Sequence, residues 1–308
     1  MVNIFTIHNT LLGFVMKLAG MRPQRVEISP GTIINFWVPT QTQTQTKTRT
    51  NLKKNVVFLH GFAGNGIFTW QLQVLALAKK YSIYVPDFLF FGDSITDRAD
   101  RSPEFQAECV AKGLKKLGVE TCTLVGLSYG GMVGFKMAQL FPNLVESMVV
   151  SCSVMALTES VSSESLRRIG FETWSDFLLP ETVEGVKAMF DVGSYKLPNV
   201  PDWLFKHFLE VMFSNRKERK ELLEALVVCD KDFNVPQYPQ RVGLLWGQND
   251  KIFNMETASN LKNLGKHVYQ RRSLTHRGVR ITVPAGLGPN VCACDLQTRM
   301  PDQETRSV

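Results

Sequence analysis

The chain of 308 residues lacks a long apolar run. Its most apolar stretch, the opening MVNIFTIHNTLLGFVMKLAG, is broken by His8, Asn9, Thr10 and Lys17. Those breaks leave runs too short for a membrane span. The stretch also lacks the basic n-region of a secretory signal. Ile4, Leu11, Leu12, Val15 and Leu18 fall roughly at helical spacing and predict a helix packed on its own domain, the alternative being a membrane-surface anchor. Cysteines are few: Cys109, Cys122, Cys152, Cys229, Cys292 and Cys294. Most stand alone in apolar runs, which reads as reduced thiols in a non-secreted, cytoplasmic protein. Cys292-Ala-Cys294 has no second pair and no neighbouring histidine, which argues against a zinc site. Neither a metal nor an organic cofactor is expected.

Acidic residues are missing from one segment and scarce in another. Gln41 to Lys54 holds Lys47, Arg49, Lys53 and Lys54 and no acid, while Gly265 to Val308 holds seven basic residues against three acids. Together they account for the formal charge of +7 and leave the remainder near neutrality. The basic excess thus lies in a loop and a tail, not on a face that tracks phosphates, and no nucleic-acid partner is expected. What is present is ordinary globular composition, 44% hydrophobic and 20% charged.

Arg25 to Ile28 and Thr32 to Val38 read as a hairpin joined by Ser29-Pro30-Gly31. The alternating polar repeat QTQTQTKTRT has nothing to bury, and residues 41–54 are expected to be a flexible loop. A regular alternation follows: strand Asn55 to Leu59, helix Trp70 to Lys79, strand Ser82 to Val85, helix Ser102 to Leu117, strand Thr121 to Val125, helix Gly131 to Phe141, strand Val145 to Ser151. Apolar strands alternating with helices predict a mostly parallel sheet flanked by helices on both sides, an α/β fold. From Met155 to about Pro236 the signals are helical only, at Glu159 to Ile169, Pro180 to Phe190, Trp203 to Phe213 and Arg216 to Cys229. This region is read as a helical insertion over the sheet. Arg241 to Trp246 resumes the strand pattern. The domains are therefore expected to be a core at 1–154, an insertion at 155–236, the rest of the core at 237–276, and an irregular tail at 277–308.

Gly126-Leu127-Ser128-Tyr129-Gly130 lies between a strand and a helix. A serine on that turn is held up as a nucleophile, in strained dihedrals, with flanking glycines that let the two backbones approach. The alternative is a plain strand-to-helix turn. His60 to Gly66 follows a strand and is rich in glycine. Backbone N–H groups there can face a developing oxyanion. It lacks the Lys-Ser/Thr of a Walker loop and the spacing of a dinucleotide fold, which argues against phosphate binding. His60 itself reads as structural. Asp250 sits just past the C-terminal end of Arg241 to Trp246, the edge where open α/β sheets place their sites, and follows Ser128 in chain order. The alternative is an aspartate in a surface turn.

VVFLHGFAGNGIFTW, VPDFLFFGDS, LVGLSYGGMVGFKMA and LLWGQNDKIF together resemble the α/β-hydrolases, most closely the plant members with a helical cap. The resemblance runs from about Met1 to Lys266. It implies the α/β-hydrolase fold, Ser128 as nucleophile, Asp250 as the acid of a Ser-His-Asp triad, and the N–H groups of Phe62 and Tyr129 as an oxyanion hole. Serine at the nucleophile position argues against epoxide hydrolases and haloalkane dehalogenases of the same fold. The Gly-His pair usual after the last strand is absent. His276, 26 residues past Asp250, takes the expected place of the base, with Val268 to Leu274 as the strand before it. The sequence after His276 carries prolines and glycines and no helical period, and reads as a tail foreign to the fold, from a shifted frame or alternative exon. The implied activity is hydrolysis of a small, largely apolar ester or related acyl substrate. Hydrolysis of a carbon–carbon bond by the same triad, a non-catalytic receptor for a small apolar ligand, and an inactive truncated product stand as the other readings.

Overall fold

The computed structural model describes residues 3–40, 53–263 and 268–272. Helix α1 (Ile4–Leu18) starts where the Asn3 side chain accepts from the Phe5 N–H. Strands β1 (Met21–Ser29) and β2 (Thr32–Pro39) form the expected hairpin. It begins before the expected Arg25, because Pro23 interrupts the sequence pattern yet is tolerated on an edge strand. Next come β3 (Asn55–Leu59), α2 (Gly66–Leu77), β4 (Ser82–Pro86), β5 (Ile95–Thr96), α3 (Pro103–Lys116), β6 (Cys122–Leu127), α4 (Tyr129–Leu140) and β7 (Val145–Ser151). Helix α2 starts a turn earlier than the apolar spacing indicates, because Asn65 caps the Phe68 N–H.

The insertion after β7 holds β8 (Leu157–Thr158), α5 (Glu159–Ile169), α6 (Trp174–Leu178), α7 (Val183–Gly193), α8 (Asp202–Met212), α9 (Arg216–Leu226) and β9 (Val227–Val228). The all-helical expectation for this region is corrected by β8 and β9, which pair in parallel at its root. Two residues per strand are too few to leave a period in the sequence. Helix α7 begins at Val183, not Pro180, because Thr182 caps it through the Gly185 N–H. The chain then returns through β10 (Arg241–Trp246), α10 (Met255–Asn263) and β11 (Val268–Arg272).

The main sheet runs in the order β1-β2-β4-β3-β6-β7-β10-β11, with β5 paired to β2. Strands β3, β4, β6, β7, β10 and β11 are parallel, while β1, β2 and β5 pair antiparallel. Val56 to Leu59, Leu124 and Val150 are buried, as strands covered on both faces require. The insertion is fastened to the core by Arg219 of α9. Its guanidinium is buried, donates to the carbonyls of Phe90 and Met212, and stacks 4.1 Å over the Phe91 ring.

Helix α1 does pack on its own domain, but with a different set of residues from the expected one. Phe5, Leu12 and Met16 are buried, whereas Ile4, Leu11 and Leu18 are exposed to 41%, 57% and 73%. The expected five were drawn from two sides of the helix, and the Phe5 ring meets Phe208 of α8 edge-on, which turns the other side outward. Among the described residues no helix is long and apolar enough to cross a membrane.

Replacing Arg219 with alanine leaves the Met212 carbonyl without its side-chain donor and the Phe90 carbonyl with Asn215 Nδ2 alone. The expected loss is about 1–3 kcal/mol of unfolding free energy. A urea midpoint by tryptophan fluorescence measures it; an unchanged midpoint refutes the fastening role.

Candidate active site

Ser128 occupies the turn between β6 and α4 at φ 52°, ψ −120°. That region is unfavourable for any residue with a Cβ, at a cost of about 1–3 kcal/mol. The surroundings hold it there. The Ser128 N–H donates to Ser151 O at 2.9 Å, and its carbonyl accepts from Gly131 N–H, Met132 N–H and the Ser153 hydroxyl. Two glycines are required by contact. A Cβ on Gly130 would lie 2.3 Å from Leu59 O, and one on Gly126 would lie 2.7 Å from Gly130 O. Tyr129 is the first residue of α4, so its N–H has no acceptor within the helix and points outward from the positive end of the dipole.

A cavity of about 110 Å³ opens at Ser128. Phe62 and Ala63 of the loop after β3 form one wall, Cys152 and Asp250 another, and Phe177, Met189 and Val192 of the insertion cover it. A second, smaller chamber of about 30 Å³ shares Phe62, Ser128, Phe177 and Ile252 with the first and runs toward Tyr129, Met132 and Trp174. The structure thus brings Ser128, Asp250, Phe62 and Tyr129 together. His276 lies outside the described residues, four positions past the end of β11 at Arg272. The tail at 277–308 and the loop at 41–52 also lie outside them.

Asp250 is held as a turn acid. Its Oδ1 accepts from the N–H groups of Ile252 and Phe253 at 2.9 and 3.0 Å. Its Oδ2 is buried and has no hydrogen bond of ordinary geometry within the described residues. Burial raises its pKa, opposed by the nearby Cys152 thiol and the two N–H donors. The same proximity, added to burial, pushes the Cys152 thiol well above its usual range, so it is a poor nucleophile. Sequence reasoning grouped Cys152 with the inert buried thiols. Its position one residue past β7, at the edge where Ser128 and Asp250 also sit, was the available signal.

The loop that carries Phe62 is pinned from behind. Buried His60 donates from Nδ1 to Gly61 O at 2.7 Å and accepts the Phe88 N–H at Nε2 at 3.0 Å. Both ring nitrogens are occupied, so it has none left to serve Ser128. Burial drives its pKa down to about 3. Asp87, also buried, accepts from the Gly66 N–H at 2.7 Å and from Asn35 at 2.9 Å, and burial raises its carboxyl to about 6. The sequence pattern does not single out Asp87, which stands just past the end of β4. Among the described residues no His, Cys, Asp or Glu cluster is arranged to hold a metal ion.

His60 and Asp87 impose opposite pH dependences. Unfolded His60 takes a proton near 6.5 and folded His60 only near 3, so its contribution is complete above the first value and is lost as pH falls toward the second. Folded Asp87 holds its proton up to about 6, against 3.8 ordinarily, so its contribution is lost as pH rises through that window. From about pH 4 to 6 the slopes oppose, each at most about 1.4 kcal/mol per pH unit. Asp87→Asn keeps an acceptor for Gly66 and removes one slope. Its Tm is expected to fall more steeply than the parent's on acidification across that window in a calorimetric series; parallel curves refute the assignment.

Residues 54–179 match the family described as alpha/beta hydrolase fold. An uncharacterized protein of Mycobacterium bovis is 34% identical over 95 residues, 31% of this chain. The aligned part spans only 28% of that relative's length. A 2-hydroxy-6-oxononadienedioate/2-hydroxy-6-oxononatrienedioate hydrolase of Escherichia coli is 25% identical over 224 residues, covering 68% of this chain and 75% of the relative. Among solved structures, a putative lipase from Acinetobacter baumannii superposes with a TM-score of 0.69 at 18% identity, over 86% of this chain and 87% of its own. The strand order, the serine turn and these likenesses agree: the chain has the α/β-hydrolase fold.

Proposed function

We propose that the chain is a serine hydrolase of a small apolar ester or related acyl substrate. One observation carries the reading: Ser128, strained and partly open, lines the same cavity as Asp250, whose buried Oδ2 has no hydrogen bond of ordinary geometry among the described residues. An imidazole N–H is the donor that such an oxygen accepts in a triad. His276 is the histidine assigned to it. In the reaction Ser128 Oγ attacks the substrate carbonyl carbon while the histidine takes the hydroxyl proton, and Asp250 stabilises the imidazolium. The N–H groups of Phe62 and Tyr129 receive the oxyanion. The carbonyl re-forms, the alcohol leaves with the histidine's proton, and water then hydrolyses the acyl-enzyme by the same steps.

The walls support the substrate class. The chamber that runs beneath Tyr129 is lined by Met132, Leu157, Trp174, Leu223 and Leu226, and its size suits a short acyl group. The insertion acts as a cap that excludes water from the reacting carbonyl. The E. coli relative is named as a hydrolase of 2-hydroxy-6-oxononadienedioate and 2-hydroxy-6-oxononatrienedioate. Hydrolysis of a carbon–carbon bond would use the same acid-base machinery, so it is a second reaction class to assay.

The test is intact mass after treatment with a fluorophosphonate. One adduct is expected on the full chain and none on Ser128→Ala, with labelling of Asp250→Asn slowed at least about a hundredfold. A folded parent that takes no adduct overturns the reading in favour of ligand binding without turnover.

A further inference from the structure

The large apolar side chains exposed on the described surface are gathered in one place. Eleven are exposed, and eight of them lie on α1, α2 and α8. On α1 they are Ile4, Ile7, Leu11, Phe14 and Leu18, whose alternating spacing of three and four sets them along one side of the helix. The opposite side, with Phe5, Leu12 and Met16, is buried against the protein. Helix α1 packs on α2 and α8, which add Leu72, Leu75 and Trp203. The result is an apolar platform three helices wide.

Its charges are mostly positive. Helices α1 and α2 carry Lys17 as their single charged residue and no acid. Exposed Lys79 and Lys80 follow α2, and Lys206 lies on α8. Of the acids of α8, Asp202 pairs with Lys187, while Glu210 accepts from the neutral Asn3 side chain at the start of α1 and keeps its charge.

We propose that this platform seats on the surface of a lipid bilayer, with α1 lying in the interfacial plane. At 15 residues α1 is about 22 Å long, shorter than the roughly 30 Å hydrocarbon core, so it lies along the membrane and does not span it. An apolar α1 face without acids, a lysine rim and a half-exposed tryptophan at the edge are the chemistry of interfacial helices. A second copy of the chain fits less well. Paired helices use a seam one helix wide, flanked by complementary charges, whereas this platform is wider and has one acid, Glu210, beside α1, at its N-terminal end only.

The platform is also joined to the cavity. Helix α2 puts Phe68 and Thr69 on the cavity wall and Leu72 and Leu75, a turn further on, on the platform. A lipid-dissolved acyl substrate would therefore meet the protein one helical turn from the cavity wall. That last point rests on the hydrolase reading; the docking itself does not.

The test is flotation of the full chain with vesicles of phosphatidylcholine mixed with phosphatidylglycerol. The parent is expected to float, and the double variant Leu11→Ser, Phe14→Ser to lose at least about tenfold in partitioning, since both side chains leave water on docking. Its Tm should match the parent's, because neither residue is buried. Leu75→Ser on α2 gives the same readout outside α1 and should also weaken binding. A parent that stays in the dense fraction, or variants that float as well as it does, overturns the proposal. So does light scattering that finds a dimer dispersed by the same substitutions, which assigns the platform to a second copy. Fluorophosphonate labelling needs no lipid, so the docking and hydrolase readings fail independently.

Discussion

The site depends on a single close approach of backbones. The first turn of α4 is pressed against the end of β3 so tightly that Gly130 has no room for a side chain. Through that contact the serine turn and the loop after β3 are located by one another. The strained dihedrals of Ser128 follow, as does the place of Tyr129 at the first position of α4, where its N–H has no acceptor within the helix. A larger residue at position 126 or 130 would separate these parts even if every reactive group were retained.

What the glycines bring together, buried polar groups keep from drifting. His60 and Asp87 bind backbone groups at both ends of the loop after β3, and the rings of Phe62, Phe88 and Phe91 pack around Tyr129. Neither polar residue meets the cavity at Ser128. They hold the backbone of that loop in place, as the proposed role of the Phe62 N–H as an oxyanion donor requires. The insertion contributes the apolar walls, and its seat on the core is secured at Arg219 and at the short β8–β9 pair.

The alternating core was legible because its strands are buried on both faces and α3 starts at a recognisable cap, Ser102, whereas the Asn65 cap of α2 was not legible. Less was legible where length or context overrides pattern. Pro23 hid the start of β1, α6 has five residues and owes its existence to a capping box at Thr173, and α10 is short and polar. Ser128 and Asp250 were legible because each sits at a fixed place relative to a strand end. The pairing of Asp250 with Cys152, the support from Asp87 and the outward face of α1 were not. Each arises when segments distant in sequence meet, and periodicity within one segment carries no record of that.

The fastening of the insertion at Arg219 has a consequence for the conditions the protein tolerates. Its hydrogen-bond acceptors on the core and on α8 are the peptide carbonyls of Phe90 and Met212, and it rests on the face of a ring. None of these groups gains or loses a proton in the biological range, and dissolved ions screen a buried contact poorly. A joint held by carboxylates would loosen as they were neutralised in acid. This one keeps its partners in acid and in brine alike, and it yields to whatever hydrates the buried carbonyls.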